Sequence, residues 1–123
     1  MVLTRSEMEI MDVLWNAGKP MSRSDILECS ADKSWKDSSV HILLNGLLRK
    51  SMIREAGFVK RSKTYGRTFL PAVSREEFFA ANAFAYKYKP DPAALVDAIV
   101  RMESLSRQEL LQIRQVLDSR MEE

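Results

Sequence analysis

The apolar pattern of the chain changes period near residue 52, and this change constrains the fold more than any other feature. Before it, three segments carry apolar residues at the three- and four-residue spacing of amphipathic helices. After it, Ile53–Val59 and Thr64–Leu70 are rich in strand-forming residues, and Pro71 stops the second stretch. Three short helices followed by a β-hairpin predict a winged helix-turn-helix domain, mainly α with a small β-hairpin.

Each predicted helix has a start signal or an apolar face of its own. Thr4-Arg5-Ser6-Glu7 fits a capping box, and Ser22 with Asp25 opens a second, shorter helix that should end by about residue 30. The third helix is expected from about Lys36 to Ser51. Its inner face consists of Val40, Leu43, Leu44, Leu47 and Leu48. In this arrangement the last helix of the three reads DNA, so its outer, polar face is the candidate interface.

Residues 74–123 predict three further helices. Ser74–Glu77 and Ser106–Glu109 fit capping boxes, and Pro92 stands where the first turn of a helix tolerates proline. So short a segment makes its own core with difficulty, so we expect its apolar stripes to pack against a second copy. The expected dimer residues are Leu95, Ile99, Met102, Leu110, Ile113 and Leu117. The alternative is a C-terminal helix folded back on its own domain. The predicted division is a DNA-binding domain, 1–73, and a helical dimerisation region, 74–123.

Charge is concentrated in the middle of the chain. Residues 33–67 contain nine basic and two acidic side chains, a net charge of +7, whereas both flanks are acidic. Such a block is typical of a surface that binds a polyanion, although a solvated basic surface gives the same count.

The outer face of the third helix suits the major groove of DNA, since Asn can pair with adenine and Ser accepts several base edges. The candidate residues there are Ser38, Ser39, His41, Ile42, Asn45 and Arg49. Lys33, Lys36 and Lys50 bracket the helix with Arg49, and we expect these cations to hold phosphates. The wing residues Lys60, Arg61 and Lys63 would grip the backbone or enter a minor groove. We interpret Trp35, just before the helix, as an apolar plug.

Several classes of function have no support in the sequence. We find in the sequence no nucleophile beside a base, no carboxylate pair in a cleft and no glycine-rich loop. We therefore predict no catalytic residues and no cofactor. A lone Cys29 and a lone His41 exclude an internal disulfide and a zinc site of Cys and His within one chain. No apolar run is long enough to span a membrane and no signal peptide is evident. We therefore expect a cytoplasmic protein.

Three stretches of this sequence form a recognisable set: Leu3–Met11 continuing through Leu14-Trp15, then Trp35 followed by Val40 and Leu43–Leu48, then Phe69-Leu70-Pro71. Together they resemble the penicillinase-repressor family of bacterial winged-helix regulators. The similarity covers residues 3 to about 78 well and continues more weakly through Leu105–Leu110. It implies a homodimeric repressor that covers a palindromic operator. On this resemblance Lys36, Ser38, Ser39 and Ile42 fall where the family's third helix faces bases and phosphates.

The chain departs from the family in its release signals. The Asn-Phe bond at which β-lactamase repressors are cleaved is absent, since Asn82 precedes Ala83, and the paired C-terminal cysteines of copper-responsive members are missing. We expect release by an inducer entering a cluster of Phe78, Phe79, Phe84 and Tyr88, or by a protease that cuts within Lys87–Asp91. An alternative function is a winged-helix interaction module that binds an acidic protein. RNA binding is a weaker one, because the candidate stacking rings in the basic block are Trp35, Phe58, Tyr65 and Phe69, and we expect several of them to be buried.

Overall fold

The computed structural model describes residues 2–61 and 64–123, which form two compact units, one ending at Ala85 and the other spanning Tyr86–Glu123. The first unit contains α1 (Arg5–Ala17), β1 (Met21–Ser22), α2 (Arg23–Glu28), a 3₁₀ turn (Asp37–Ser39), α3 (Val40–Arg49), β2 (Ile53–Arg61), β3 (Thr64–Pro71) and α4 (Arg75–Ala83). The second unit contains α5 (Pro92–Val100) and α6 (Arg107–Met121). The winged helix-turn-helix prediction is confirmed.

The predicted caps are present at the starts of α1 and α2. The Thr4 hydroxyl accepts from the Glu7 amide at 3.1 Å, and the Glu7 carboxylate accepts from the Thr4 amide at 2.9 Å. Ser22 and Asp25 repeat this exchange at 3.2 and 2.9 Å. Each pair satisfies two amides that the helix itself leaves without partners, so both helix starts are fixed by local sequence.

The third helix is shorter than predicted at both ends. Lys36 is extended, and the chain turns through the 3₁₀ segment before α3 begins at Val40. Asp and Ser in that segment favour turns because their side chains compete for backbone hydrogen bonds. At the other end Ser51 adopts a left-handed conformation with φ 58°, and the amide of Met52 donates to the Leu47 carbonyl at 3.0 Å. This is the Schellman pattern that closes a helix.

The hairpin is part of a three-stranded antiparallel sheet with the order β1-β3-β2. β1 pairs Met21 with Phe69. A strand of two residues has no recognisable pattern in the sequence, so this contact was not predicted. A bulge lies between Glu55 and Gly57 on β2, where the Thr68 hydroxyl donates to the Gly57 carbonyl at 3.1 Å. The bulge changes the direction of the wing and leaves the rest of the ladder paired to Arg61.

One apolar core holds the helices to the sheet. Its buried residues are Ile10, Met11, Leu14, Met21, Ile26, Trp35, Val40, Leu44, Leu47, Met52, Ile53, Phe69 and Phe78. Trp35 is buried as predicted, and its indole N–H finds no hydrogen-bond partner in the described part of the chain. Leu43 and Leu48 pack on the edge of this core, so the apolar face predicted for the third helix is confirmed.

Helix α4 belongs to the first unit. Its Phe78 packs on the core of that unit, which for this residue corrects the expectation that the apolar side chains of residues 74–123 pack against a second copy. Phe78 is buried with its ring centroid 5.9 Å from that of Trp15, and the Trp15 indole N–H donates to the Val73 carbonyl at 3.0 Å. Arg75 donates to the Asp12 carboxylate at 2.8 Å. Phe79 and Phe84 are exposed. The compact unit therefore extends past residue 73 to Ala85, while the assignment of functions to 1–73 and 74–123 stays a prediction.

The second unit has no buried residue between Tyr86 and Glu123. Asp91 caps α5 by accepting from the Ala94 amide at 2.9 Å, and Ser106 and Glu109 form a capping box for α6. Helix α5 ends at Val100, so Met102, one of the expected dimer residues, lies in the segment between α5 and α6. Local sequence thus forms both helices although no core covers their apolar side chains.

Candidate nucleic-acid interface

The outer face of α3 and of the turn before it is exposed, as predicted. Ser38, His41, Asn45 and Arg49 are exposed, and Ser39 is half-buried. Ile42 is 72% exposed, a high value for an apolar side chain on a helix whose other apolar residues pack on the core. The face therefore offers hydrogen-bonding groups around one apolar side chain, the mixture that base edges and thymine methyl groups can accept.

Arg23 joins this face although sequence reasoning missed it. It is the first residue of α2, and its guanidinium contacts the Nε2 atom of His41. Both side chains are exposed. Arg23 lies in the acidic first third of the chain, so counting charge along the sequence passed over it. The signal in the sequence that could have found Arg23 was its position at the start of the helix that precedes α3.

The four cations expected around α3 differ in their partners. Lys33 is paired with Asp37 at 2.8 Å, and Lys50 is paired with Glu7 at 2.6 Å. Lys36 and Arg49 are exposed and have no carboxylate partner among residues 2–61 and 64–123. Lys36 and Arg49 are therefore the two cations of this set available to a phosphate.

The wing presents further exposed groups on the first unit. Lys60 is exposed on β2, and Arg61 is the last residue of that strand. Lys63, the third predicted wing cation, lies outside the described residues. Arg67 on β3 is paired with Glu55 at 2.5 Å, so a carboxylate already offsets its charge. Phe58 is 70% exposed, so the wing also presents an aromatic ring that the charge pattern did not indicate.

The sequence of this chain matches one protein family over nearly its whole length. The family model described as "Penicillinase repressor" matches residues 3–119. The chain belongs to this family. As a penicillinase-repressor family member it is a DNA-binding transcription regulator of the winged-helix type, and it is not an enzyme.

The chain is also similar to one curated protein and to one solved structure. An uncharacterised 16.5 kDa protein from the region 3′ of ptsI in Latilactobacillus sakei is 27% identical to this chain, covering 96% of it and 80% of the relative. The crystal structure of Bacillus subtilis PadR in complex with operator DNA matches with a TM-score of 0.50 and 20% identity, covering 94% of this chain and 71% of PadR. At that identity the match to PadR shows a shared fold.

In this penicillinase-repressor chain α3 is held to α1 by a partly buried ion pair. Lys50, which caps α3, donates to the Glu7 carboxylate at the start of α1, and Glu7 is 5% exposed. Burial raises the pKa of Glu7, but hydrogen bonds from Lys50 and Thr4 and the Lys50 charge outweigh it, so the pKa lies below its ordinary value. A Cβ on Gly46 would lie 3.0 Å from the Glu7 Oε2 atom. The absence of a side chain at Gly46 therefore lets the carboxylate lie against α3.

Other kinds of site are not found in the described part of this family member. Residues 2–61 and 64–123 contain no group of three or more His, Cys, Asp or Glu side chains placed to hold a metal ion. Over the same residues, no helix has the length and apolar character needed to cross a bilayer. Cys29 is exposed and unpaired with another cysteine.

Proposed function

We propose that this protein is a homodimeric transcriptional repressor that binds a palindromic operator through α3 and the wing and acts in the cytoplasm. The observation that supports this most is the exposed face of α3, on which polar side chains surround one exposed isoleucine. A face meant for an acidic protein partner would need more apolar anchors than Ile42 alone provides. Family membership favours the same choice.

The side chains of the interface divide into those that read bases and those that hold phosphates. Asn45 has the amide needed for a bidentate contact with adenine, and Ile42 suits a thymine methyl group. Ser38, Ser39 and His41 supply shorter hydrogen-bonding groups near the start of α3, which goes deepest into the groove. The phosphate-binding set that we propose is Lys36, Arg49, Lys60, Arg61 and Lys63, and we add Arg23 because it contacts His41.

The dimer is supported by the apolar surface of the second unit. Ile99, Met102, Leu110 and Leu117 are between 39% and 55% exposed, and Leu95 and Ile113 are half-buried. Leaving such side chains in water costs free energy that a second copy would recover. Twofold pairing presents two reading helices to two half-sites, and the second contact then forms at high effective concentration. A dimer bound across a promoter excludes the polymerase, which accounts for repression.

The test of DNA reading uses an operator selected from random duplexes. Fluorescence anisotropy would compare its Kd with that of a scrambled duplex for Asn45→Ala, Ser39→Ala and Arg61→Ala. The two α3 variants should each reduce discrimination by about 1–3 kcal/mol if each side chain reads one base. Arg61→Ala should weaken both duplexes alike and reduce the salt slope by about one unit per protomer if Arg61 holds one phosphate. If both α3 variants weaken the two duplexes equally, the reading face is wrongly assigned.

The dimer is tested separately from DNA binding. Leu117→Glu places a charge on the expected interface, whereas Gln115→Glu adds the same charge two residues away on an exposed position of α6. Light scattering at micromolar concentration should give twice the chain mass for the unmodified protein and for Gln115→Glu, and the single-chain mass for Leu117→Glu. A single-chain mass for the unmodified protein would contradict the dimer.

A further inference from the structure

A cavity of about 270 Å³ lies within the first unit, between the end of α3 and α4. Lys50–Met52 form one wall, and Phe78 and Ala81 on α4 form the opposite wall, with Val73 between them. Met52 and Phe78 are buried core residues. The cavity therefore has an apolar floor formed by the core, and none of its lining residues belongs to the base-reading or phosphate-binding sets named under the proposed function.

The charged groups beside this cavity already have partners. The Lys50 ammonium donates to the Glu7 carboxylate at 2.6 Å and to the Val2 carbonyl at 3.2 Å. The Glu77 carboxylate, which also lines the cavity, accepts from the Ser74 amide at 3.0 Å. An ion entering the cavity would lose its hydration without an unengaged countercharge to replace it. This chemistry favours a neutral ligand.

The cavity volume limits the size of that ligand. An engineered apolar cavity of about 150 Å³ binds benzene, and cavities for drug-sized molecules begin at about 300 Å³. We propose that this cavity binds an uncharged, mainly apolar molecule of one or two rings, and that its occupancy lowers affinity for DNA. The second half of this proposal rests on the proposed function.

The backbone at the cavity wall gives an independent observation. Ser51 lines the cavity and has φ 58°, at the helix-closing position where glycine would carry no strain. Non-glycine residues held in this region cluster at ligand-binding and switch positions. Serine keeps a hydroxyl at the wall that glycine would lack. A donor or acceptor on the ligand, such as a ring N–H, would have a partner there.

The position of the cavity connects a ligand to the reading helix. Lys50 ends α3, lines the cavity and holds α3 to α1 through Glu7. Helix α4, the other wall, precedes the chain segment that leads to the second unit. A ligand that binds more tightly to one spacing of these walls than to another shifts the position of α3, because the end of α3 is one wall. By thermodynamic reciprocity, operator DNA must then lower the affinity for the ligand by the same factor.

Indole is a suitable probe because it is neutral, has two fused rings and carries one N–H. Titration of the full-length protein, followed by amide NMR shifts, should show one saturable site for each chain with a Kd below about 1 mM. Ala81→Leu should fill the cavity and raise this Kd at least tenfold. Ala80→Leu is the matched control, since Ala80 is exposed on the same helix and does not line the cavity. Indole-3-carboxylate should bind at least tenfold more weakly than indole.

The regulatory half is measured with the selected operator. Saturating indole should raise the operator Kd at least threefold in the unmodified protein and in Ala80→Leu, and leave it unchanged in Ala81→Leu. No saturable binding of indole, or equal loss of binding in both leucine variants, would overturn the ligand site. Binding with an unchanged operator Kd would overturn the regulatory half. If the protein without indole binds no operator, the proposed function fails, while the NMR titration still decides the ligand site.

Discussion

Removal of the Lys50 cation is the sharpest test of how α3 is held. Lys50→Met keeps much of the aliphatic side chain and leaves the Glu7 carboxylate, 5% exposed, with a hydrogen bond from Thr4 but no cation. Removing one partner of a fully buried pair costs about 3–5 kcal/mol. The Lys50 side chain is 32% exposed, so water screens part of the interaction. We expect the free energy of unfolding to fall by about 2 kcal/mol.

A double-mutant cycle separates the ion pair from other effects of these substitutions. Glu7→Gln keeps the shape and the acceptor oxygen, so we expect a loss of only about 1 kcal/mol. Once Glu7 is neutral, Lys50→Met should add little, which gives a coupling energy of about 1.5 kcal/mol or more. Urea unfolding followed by circular dichroism measures all four proteins. Lys60→Met, on an exposed wing lysine, is the control and should change stability by less than about 0.5 kcal/mol.

The pH dependence gives a second, independent readout. Because the folded-state pKa of Glu7 is lowered, the pair stabilises the fold above the ordinary carboxyl pKa, and this contribution is lost as pH falls through the lowered value. In Lys50→Met, burial is opposed only by Thr4, so the pKa of Glu7 should rise. The stability difference between the two proteins should therefore shrink as pH falls from about 7 to about 3. A difference that is constant with pH, or strictly additive single variants, would refute the reasoning.

Three further substitutions test particular contacts by the same unfolding assay. Gly46→Ala should lower stability despite its better helix propensity, because its Cβ would press on the Glu7 carboxylate at 3.0 Å; combining it with Glu7→Ala should remove the loss. Ser51→Gly should raise stability by about 0.5–1 kcal/mol, and a loss would show that the left-handed conformation is not strained. Phe78→Ala should cost about 3 kcal/mol, whereas Phe79→Ala, on a ring 54% exposed, should cost under about 1 kcal/mol; equal losses would contradict the core position of Phe78.

Local signals predicted most of the fold. The capping boxes at Thr4, Ser22, Ser74 and Ser106 each join residues three positions apart. Both partners of each contact could therefore be predicted from their spacing in the sequence. The apolar face of α3 could also be predicted from the sequence, because a period of 3.6 residues defines which side of a helix must be buried. The same pattern located the exposed candidates for reading DNA by elimination. What these predictions share is that their physical cause lies within one turn or one helix.

Contacts between distant segments were decided only by the tertiary structure. The pairing of Lys50 with Glu7 and the contact of Arg23 with His41 join residues 43 and 18 positions apart. Nothing in the sequence distinguished these two cations from the others as partners for Glu7 and His41. The inclusion of α4 in the first unit likewise depends on Trp15 meeting Phe78. The sequence by itself determined where helices begin, which faces are apolar and where positive charge accumulates. The packing of the core decided which cations remain available to DNA, because bringing segments together is what gives some of them a carboxylate partner and leaves others without one.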